Sequence, residues 1–273
     1  MMTGKLFEDL VSLVETLRGE NGCPWDREQT HSSLLPYFLE EAYEVVETVD
    51  QEDWETLSEE LGDILLHVVF QTRIAEEEHH FKLDKVIRSI NEKLVRRHPH
   101  VFGDKKAEGP KRARMRWETA KQKEKGRESR LDGVPKILPA LVRSQRLQEK
   151  ASYVGFDWER KDQVWQKVLE ELEELKEAQS EGKGAAEEEM GDLLFALVNL
   201  CRFLNISAES ALRKSSEKFF NRFKLVEKEL KKKRKSVEDA TLQEMEEIWN
   251  SLKKQEPRSK DQEPPHGRKL PSG

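Results

Sequence analysis

Two eleven-residue stretches, EELGDILLHVV at 59–69 and EEMGDLLFALV at 188–198, share one design. In each, acids one helical turn apart lead through a glycine into an apolar run. The apolar run has to be buried, so the acids at its entrance are carried toward a packed partner rather than into open water. The repeat extends beyond these stretches. Glu41, Glu44, Glu60 and Asp63 fall on Glu171, Glu174, Glu189 and Asp192, displaced by 130, 130, 129 and 129 positions. Further on, NEKLVRR matches SEKFFNR, placing Lys93 on Lys218 and Arg97 on Arg222, and WETAKQK matches WNSLKKQ, placing Trp117 on Trp249. We read the chain as a tandem duplication of one helical unit.

Composition supports this reading. With 36% hydrophobic and 37% charged residues, and only 14 Gly and 10 Pro in 273, the chain suits long amphipathic helices with charged outer faces. The fold class expected is all-α. In the first half, helices are expected over about 6–17, from near Asp26, over 34–49, 54–77 and 81–97, and around Trp117. The second half restarts with GFDWERKDQVWQKVLEELEELKEA and closes with TLQEMEEIWNSLKK, where Thr241 and Glu244 have capping-box spacing. The expected organisation is an N-terminal domain at 1–125, a linker at 126–140, a C-terminal domain at 141–255 and a disordered tail at 256–273.

A net charge of −6 gives no global field toward polyanions, so stable nucleic-acid binding is not expected. A nucleic-acid reading would have to use the basic stretches 112–116 and 231–235. The run KKKRK at 231–235 has no counterpart in the first half and is read as a solvated helix end. Cys23 and Cys201 lie in different halves without metal-ligand spacing, and the first residues are interrupted by acids instead of forming a signal core. A cytoplasmic location and no membrane span are expected.

Residues three apart share a helix face, so Glu41 with Glu44, and Glu60 with Asp63, each form a pair. The arc Phe38, Val45, Val46 and Val49 borders the first pair, and packing it should turn the acids toward the neighbouring helix. Short connections, DQED and SEGKG, make those neighbours antiparallel, and four carboxylates then converge in each half. Two like charges about 4 Å apart repel by roughly 4 kcal/mol at an effective dielectric of about 20, so a cation is called for. An all-oxygen donor set points to Mg²⁺, with Mn²⁺ as a substitute. The plain alternative is a solvated acidic face on a helical interaction protein. A di-iron centre expects Glu-x-x-His on two helices, which the repeat lacks. His67 follows Asp63 by one turn but is matched by Ala196, and is read as a satisfied polar residue. His79, His80 and the histidines of RRHPH are read as surface or loop residues.

E-E-x-x-E followed some fifteen residues later by E-x-x-D, together with GCPWDREQTHSSLLPYFLEEAYEV, RRHPHVFGD, GFDW, EKFFNRF and MEEIW, resembles the MazG-like nucleoside triphosphate pyrophosphohydrolases over nearly the whole chain. The resemblance implies an all-α, usually dimeric enzyme with helices contributing to dimeric four-helix cores. Such enzymes convert a nucleoside triphosphate and water to the monophosphate and pyrophosphate with Mg²⁺. It implies metal ligands Glu171, Glu174, Glu189 and Asp192 in the second half and Glu41, Glu44, Glu60 and Asp63 in the first. Implied substrate contacts are Lys167, Glu170, Ala185, Ala186, Glu187, Glu188, Lys218, Arg222 and Trp249, with Lys93, Arg97 and Trp117 at the equivalent first-half places. Glu170 or Glu188 could orient the attacking water, and Trp249 offers a face for a base. Because no lysine corresponds to Lys167 in the first half, the second half is expected to be the main catalytic centre.

Overall fold

The computed structural model describes residues 2–103, 109–124, 126 and 128–255. The chain divides into two compact units, residues 1–125 and 126–273, each described below by itself. Among the described residues every regular element is a helix.

The first unit holds α1 (Met2–Arg18), α2 (Pro24–Glu28), α3 (Leu35–Gln51), α4 (Trp54–Glu77), α5 (Leu83–Arg97), α6 (Pro99–Phe102) and α7 (Pro110–Glu124). Between α3 and α4 stand only two residues. Glu52 takes a left-handed conformation (φ 58°) that ends α3, and Asp53 caps α4 by accepting from the Thr56 amide at 3.2 Å and the Thr56 hydroxyl at 2.7 Å. So tight a turn leaves the two acid-bearing helices no arrangement but antiparallel packing. Val14, Leu34, Val69, Phe70 and Ile74 form the core, with Phe7, Leu10, Val11 and Leu66 packed on it. Arg18 pins α1 to this core. Its guanidinium lies over the Phe70 ring at 5.3 Å, pairs with Glu77 at 2.7 Å and donates to the Gln29 carbonyl at 3.1 Å.

The second unit holds α8 (Ala140–Ser152), α9 (Lys161–Ala178), α10 (Lys183–Phe203), α11 (Ala208–Lys232) and α12 (Leu242–Gln255). The α9–α10 turn ends on Gly182 at φ 125°, a conformation that penalises any Cβ. Val164 and Val168 of α9 pack against Ala196 and Leu200 of α10. A separate cluster, Val226, Leu230 and Ile248, closes α11 on α12, with Trp249 partly buried against it. Two buried polar side chains are tied to the backbone: Gln148 Nε2 donates to the Phe195 carbonyl at 2.8 Å, and Lys150 Nζ to the carbonyls of Arg130 and Asp132 at 3.1 and 3.0 Å.

Three expectations need correction. Burial of Phe38, Val45, Val46 and Val49 is incomplete, since Val46 and Val49 remain 38% and 48% exposed while Thr48 is buried. His67 is not a satisfied polar residue. It is 9% exposed, edge-on to the Phe38 ring at 5.8 Å, and its buried Nδ1 has no hydrogen-bond partner. The run 231–235 is not wholly solvated either, because Lys235 pairs with Glu244 of α12 at 2.6 Å. The tail at 256–273 lies outside the described residues.

Candidate metal and nucleotide site

In the first unit, Glu41 of α3 and Glu60 and Asp63 of α4 each bring a carboxylate oxygen within 4.8 Å of the other two. Glu44 stands close enough to the Glu41 and Glu60 carboxyls to raise both. Partial burial and the charges of Asp63, Glu44 and Glu60 push the Glu41 carboxyl up to about 7, and burial with the same neighbours raises Glu60. In the second unit, Glu171, Glu174 and Glu189 meet within 4.8 Å, and Asp192 stands one turn beyond Glu189. Glu189 is raised by desolvation and by Glu174, Asp192, Glu171 and Glu188. Three acids therefore converge in each half between two antiparallel helices, with the fourth, Glu44 or Asp192, on the same helix pair. Raised carboxyls on oxygen donors at this spacing fit a hard divalent cation, which would relieve the repulsion.

The surroundings of the two quartets differ. In the second unit Lys167 of α9 hydrogen-bonds Glu170 and reaches Glu171 Oε1 at 2.8 Å, and both carboxylates push its ammonium upward. Ala185 and Ala186 are half-buried at the start of α10, and Glu187 and Glu188 are exposed beside them.

The cations and tryptophans form a second grouping in each half. Arg222 of α11 is buried, with its guanidinium 4.6 Å above the Trp249 ring of α12. Lys218, one turn earlier, is exposed. One face of Trp249 is thus already covered, and Phe219, which is 58% exposed, lies 5.2 Å from it. In the first unit Arg97 is buried over Trp117 at 5.1 Å, and Lys93 is half-buried on the same helix.

Sequence reasoning missed two residues here. Phe219 is one, an aromatic where the first copy has Leu94. The other is Glu124 at the end of α7, which accepts from Arg97 Nη2 at 2.5 Å and Nε at 3.0 Å and from Arg96 Nε at 2.7 Å. The signal was available: Glu124 follows Trp117 by two helical turns on one face. Its arginines hold the Glu124 carboxyl down at about 2. A carboxyl depressed on folding adds stability that is complete above its ordinary value of 4.5 and is lost as pH falls toward 2. In Glu124→Gln, that part of the acid-side loss of thermal stability between pH 4.5 and 2 is expected to vanish, read as a flatter melting-temperature profile than that of the wild type.

The MazG nucleotide pyrophosphohydrolase domain profile matches residues 29–102 and again 160–226, the two segments that carry the acid quartets. The chain belongs to the MazG nucleotide pyrophosphohydrolase family. It is 48% identical to the nucleoside triphosphate pyrophosphohydrolase/pyrophosphatase MazG of Thermotoga maritima, over 92% of this chain and 96% of that protein. It is 44% identical to the nucleoside triphosphate pyrophosphohydrolase of Escherichia coli K12, over 90% of this chain and 97% of that one. A Mycobacterium tuberculosis nucleoside triphosphate pyrophosphohydrolase is 38% identical over 56% of this chain and 46% of its own length. The family, its enzyme class and the tandem all-α architecture expected from the repeat are borne out.

Proposed function

We propose that this MazG-family chain hydrolyses nucleoside triphosphates to the monophosphate and pyrophosphate, with Mg²⁺, or Mn²⁺ in its place, held by Glu171, Glu174, Glu189 and Asp192. The observation that carries the reading is the meeting of three of these carboxylates within 4.8 Å on antiparallel α9 and α10. The ion, when bound, supplies charge for the triphosphate and acidifies a water. A water oxygen attacks the α-phosphorus, the α–β bridging P–O bond breaks, and pyrophosphate leaves with the bonding electrons. Glu188, exposed beside Glu189, or Glu170, held by Lys167, takes the proton that the water loses. Lys218 and Arg222 lie one turn apart on α11 and hold the phosphates on which charge builds. Around Trp249 and Phe219 the base meets apolar surface with no donor–acceptor code, which supports broad base tolerance and a role in clearing non-standard or excess nucleotides.

Glu41, Glu44, Glu60 and Asp63 hold an equivalent ion in the first half. Tyr37 stands where the second copy has Lys167, so the second half carries the main activity. Tyr43, Val46, Leu61, Leu65 and Val68 on α3 and α4 leave an apolar strip exposed, as do Leu169, Leu172, Leu194 and Leu197 on α9 and α10. Strips of this kind support a homodimer whose helices complete four-helix cores. No single helix among the described residues is long and apolar enough to cross a membrane, which agrees with a cytoplasmic enzyme.

Pyrophosphate release from a panel of standard and base-modified triphosphates tests the reading. Turnover of all of them, with kcat/KM values within about tenfold of one another and abolished by chelation, is expected. Undiminished release after the metal is stripped would remove the cation from the mechanism. No release from any nucleotide would favour a helical interaction protein.

A further inference from the structure

We propose that Lys167 is an internal counter-ion of the second quartet, which a divalent cation must displace from Glu171, and that the displaced ammonium is thereby delivered to the triphosphate. The proposal rests on the reading that this quartet takes a metal. Glu171 has the most enclosed carboxylate of the converging three, with a side chain only 8% exposed, and Lys167 Nζ sits on its Oε1 at 2.8 Å. A carboxylate so enclosed has few other poses, so an ammonium and a metal ion compete for the same oxygen lone pairs. The same Nζ also holds Glu170. Lys167 is one turn from both acids along α9, at i+3 and i+4, on a flexible four-carbon stem whose side chain is 35% exposed. It can swing outward to solvent while Val164 and Val168, on the adjoining face of that helix, stay packed against α10. Once displaced, the ammonium stands beside a newly cationic site to which a polyanion is drawn, so metal first and nucleotide second becomes the favoured order of binding.

The first half is a natural control. The position aligned with Lys167 is Tyr37, uncharged and edge-on to Trp25 at 6.1 Å. Its quartet has the same four acids without an ammonium supplied from that place.

The test is Mn²⁺ binding by the full chain, followed through the paramagnetic signal of the free ion, which reads occupancy without turnover. In a background where Glu60→Gln and Asp63→Asn silence the first quartet, Lys167→Met is expected to tighten Mn²⁺ about tenfold. At saturating metal it is expected to raise KM for the triphosphate by a similar factor. The reciprocal arm silences the second quartet with Glu189→Gln and Asp192→Asn and introduces Tyr37→Lys, which is expected to weaken Mn²⁺ at the first quartet. Unchanged or weaker Mn²⁺ binding in Lys167→Met, with circular dichroism showing an intact helical fold, would overturn the counter-ion role and leave an ordinary surface ion pair. If the parent background binds no Mn²⁺, the quartet is no metal site and the proposal falls with that reading.

Discussion

Pyrophosphate release should fall by about 1,000-fold or more when Glu171 and Glu174 are both replaced by alanine, a loss of roughly 4 kcal/mol in transition-state stabilisation. The chain itself should stay folded. Both carboxylates raise Glu189, so removing them relieves repulsion there, and Lys167 keeps Glu170 as a partner. Val168 and Leu175, which bury the inner face of α9, are untouched. Activity and far-ultraviolet circular dichroism, measured on one preparation, separate the two effects. The paired change Glu41→Ala with Glu44→Ala is expected to leave most of the activity. The opposite ranking would place the chemistry in the first half.

The second large effect is expected at Arg222. Its guanidinium is buried over Trp249, so Arg222→Ala removes both the proposed phosphate partner and a contact that joins α11 to α12. We expect kcat/KM to drop by about 100-fold, in line with the loss of a preorganised charged donor. A further ~1–2 kcal/mol of stability is expected to go with the cation–π contact. Arg222→Lys keeps the charge but not the planar fork, so it should recover more of the stability than of the rate. Arg97→Ala is the informative comparison. Arg97 also lies over a tryptophan and pairs with Glu124, but in the half where Tyr37 stands in place of Lys167, so its loss should lower the melting temperature with little change in turnover. Urea titration alongside steady-state kinetics on the four chains distinguishes these outcomes.

Much of this was legible in the sequence, for an identifiable reason. Glu60 and Asp63, like Glu189 and Asp192, are one turn apart on a helix whose apolar side fixes its rotation, and the second copy repeats the pattern. Local periodicity therefore determined which side chains meet. The α3–α4 turn was legible only as the short connection DQED; the left-handed Glu52 and the Asp53 cap were found in the structure. What stayed hidden depended on contacts between distant segments. Glu124 finds Arg97 from 27 positions away, and its place two turns beyond Trp117 marks the helix face but not the partner. The burial of Val46 and Val49 was overestimated because amphipathicity says that a face is apolar, not that this chain alone covers it. His67 was misread because its polarity suggested a partner, whereas packing sealed its Nδ1 beside Phe38. Lys167 was marked by resemblance as a substrate contact, and only the structure shows its ammonium on Glu170 and Glu171.

The clusters around Val14 and Ile74, around Val164 and Ala196, and around Leu230 each lie within one unit, and the converging acids are not among their members. A duplicated gene built in this manner has unusual licence. Either copy can drift in its chemistry, exchanging a lysine for a tyrosine or a phenylalanine for a leucine, without forfeiting the packing that keeps it standing. Conversion of an idle copy into a sensor, or into a second specificity, would then need only a handful of substitutions outside those clusters.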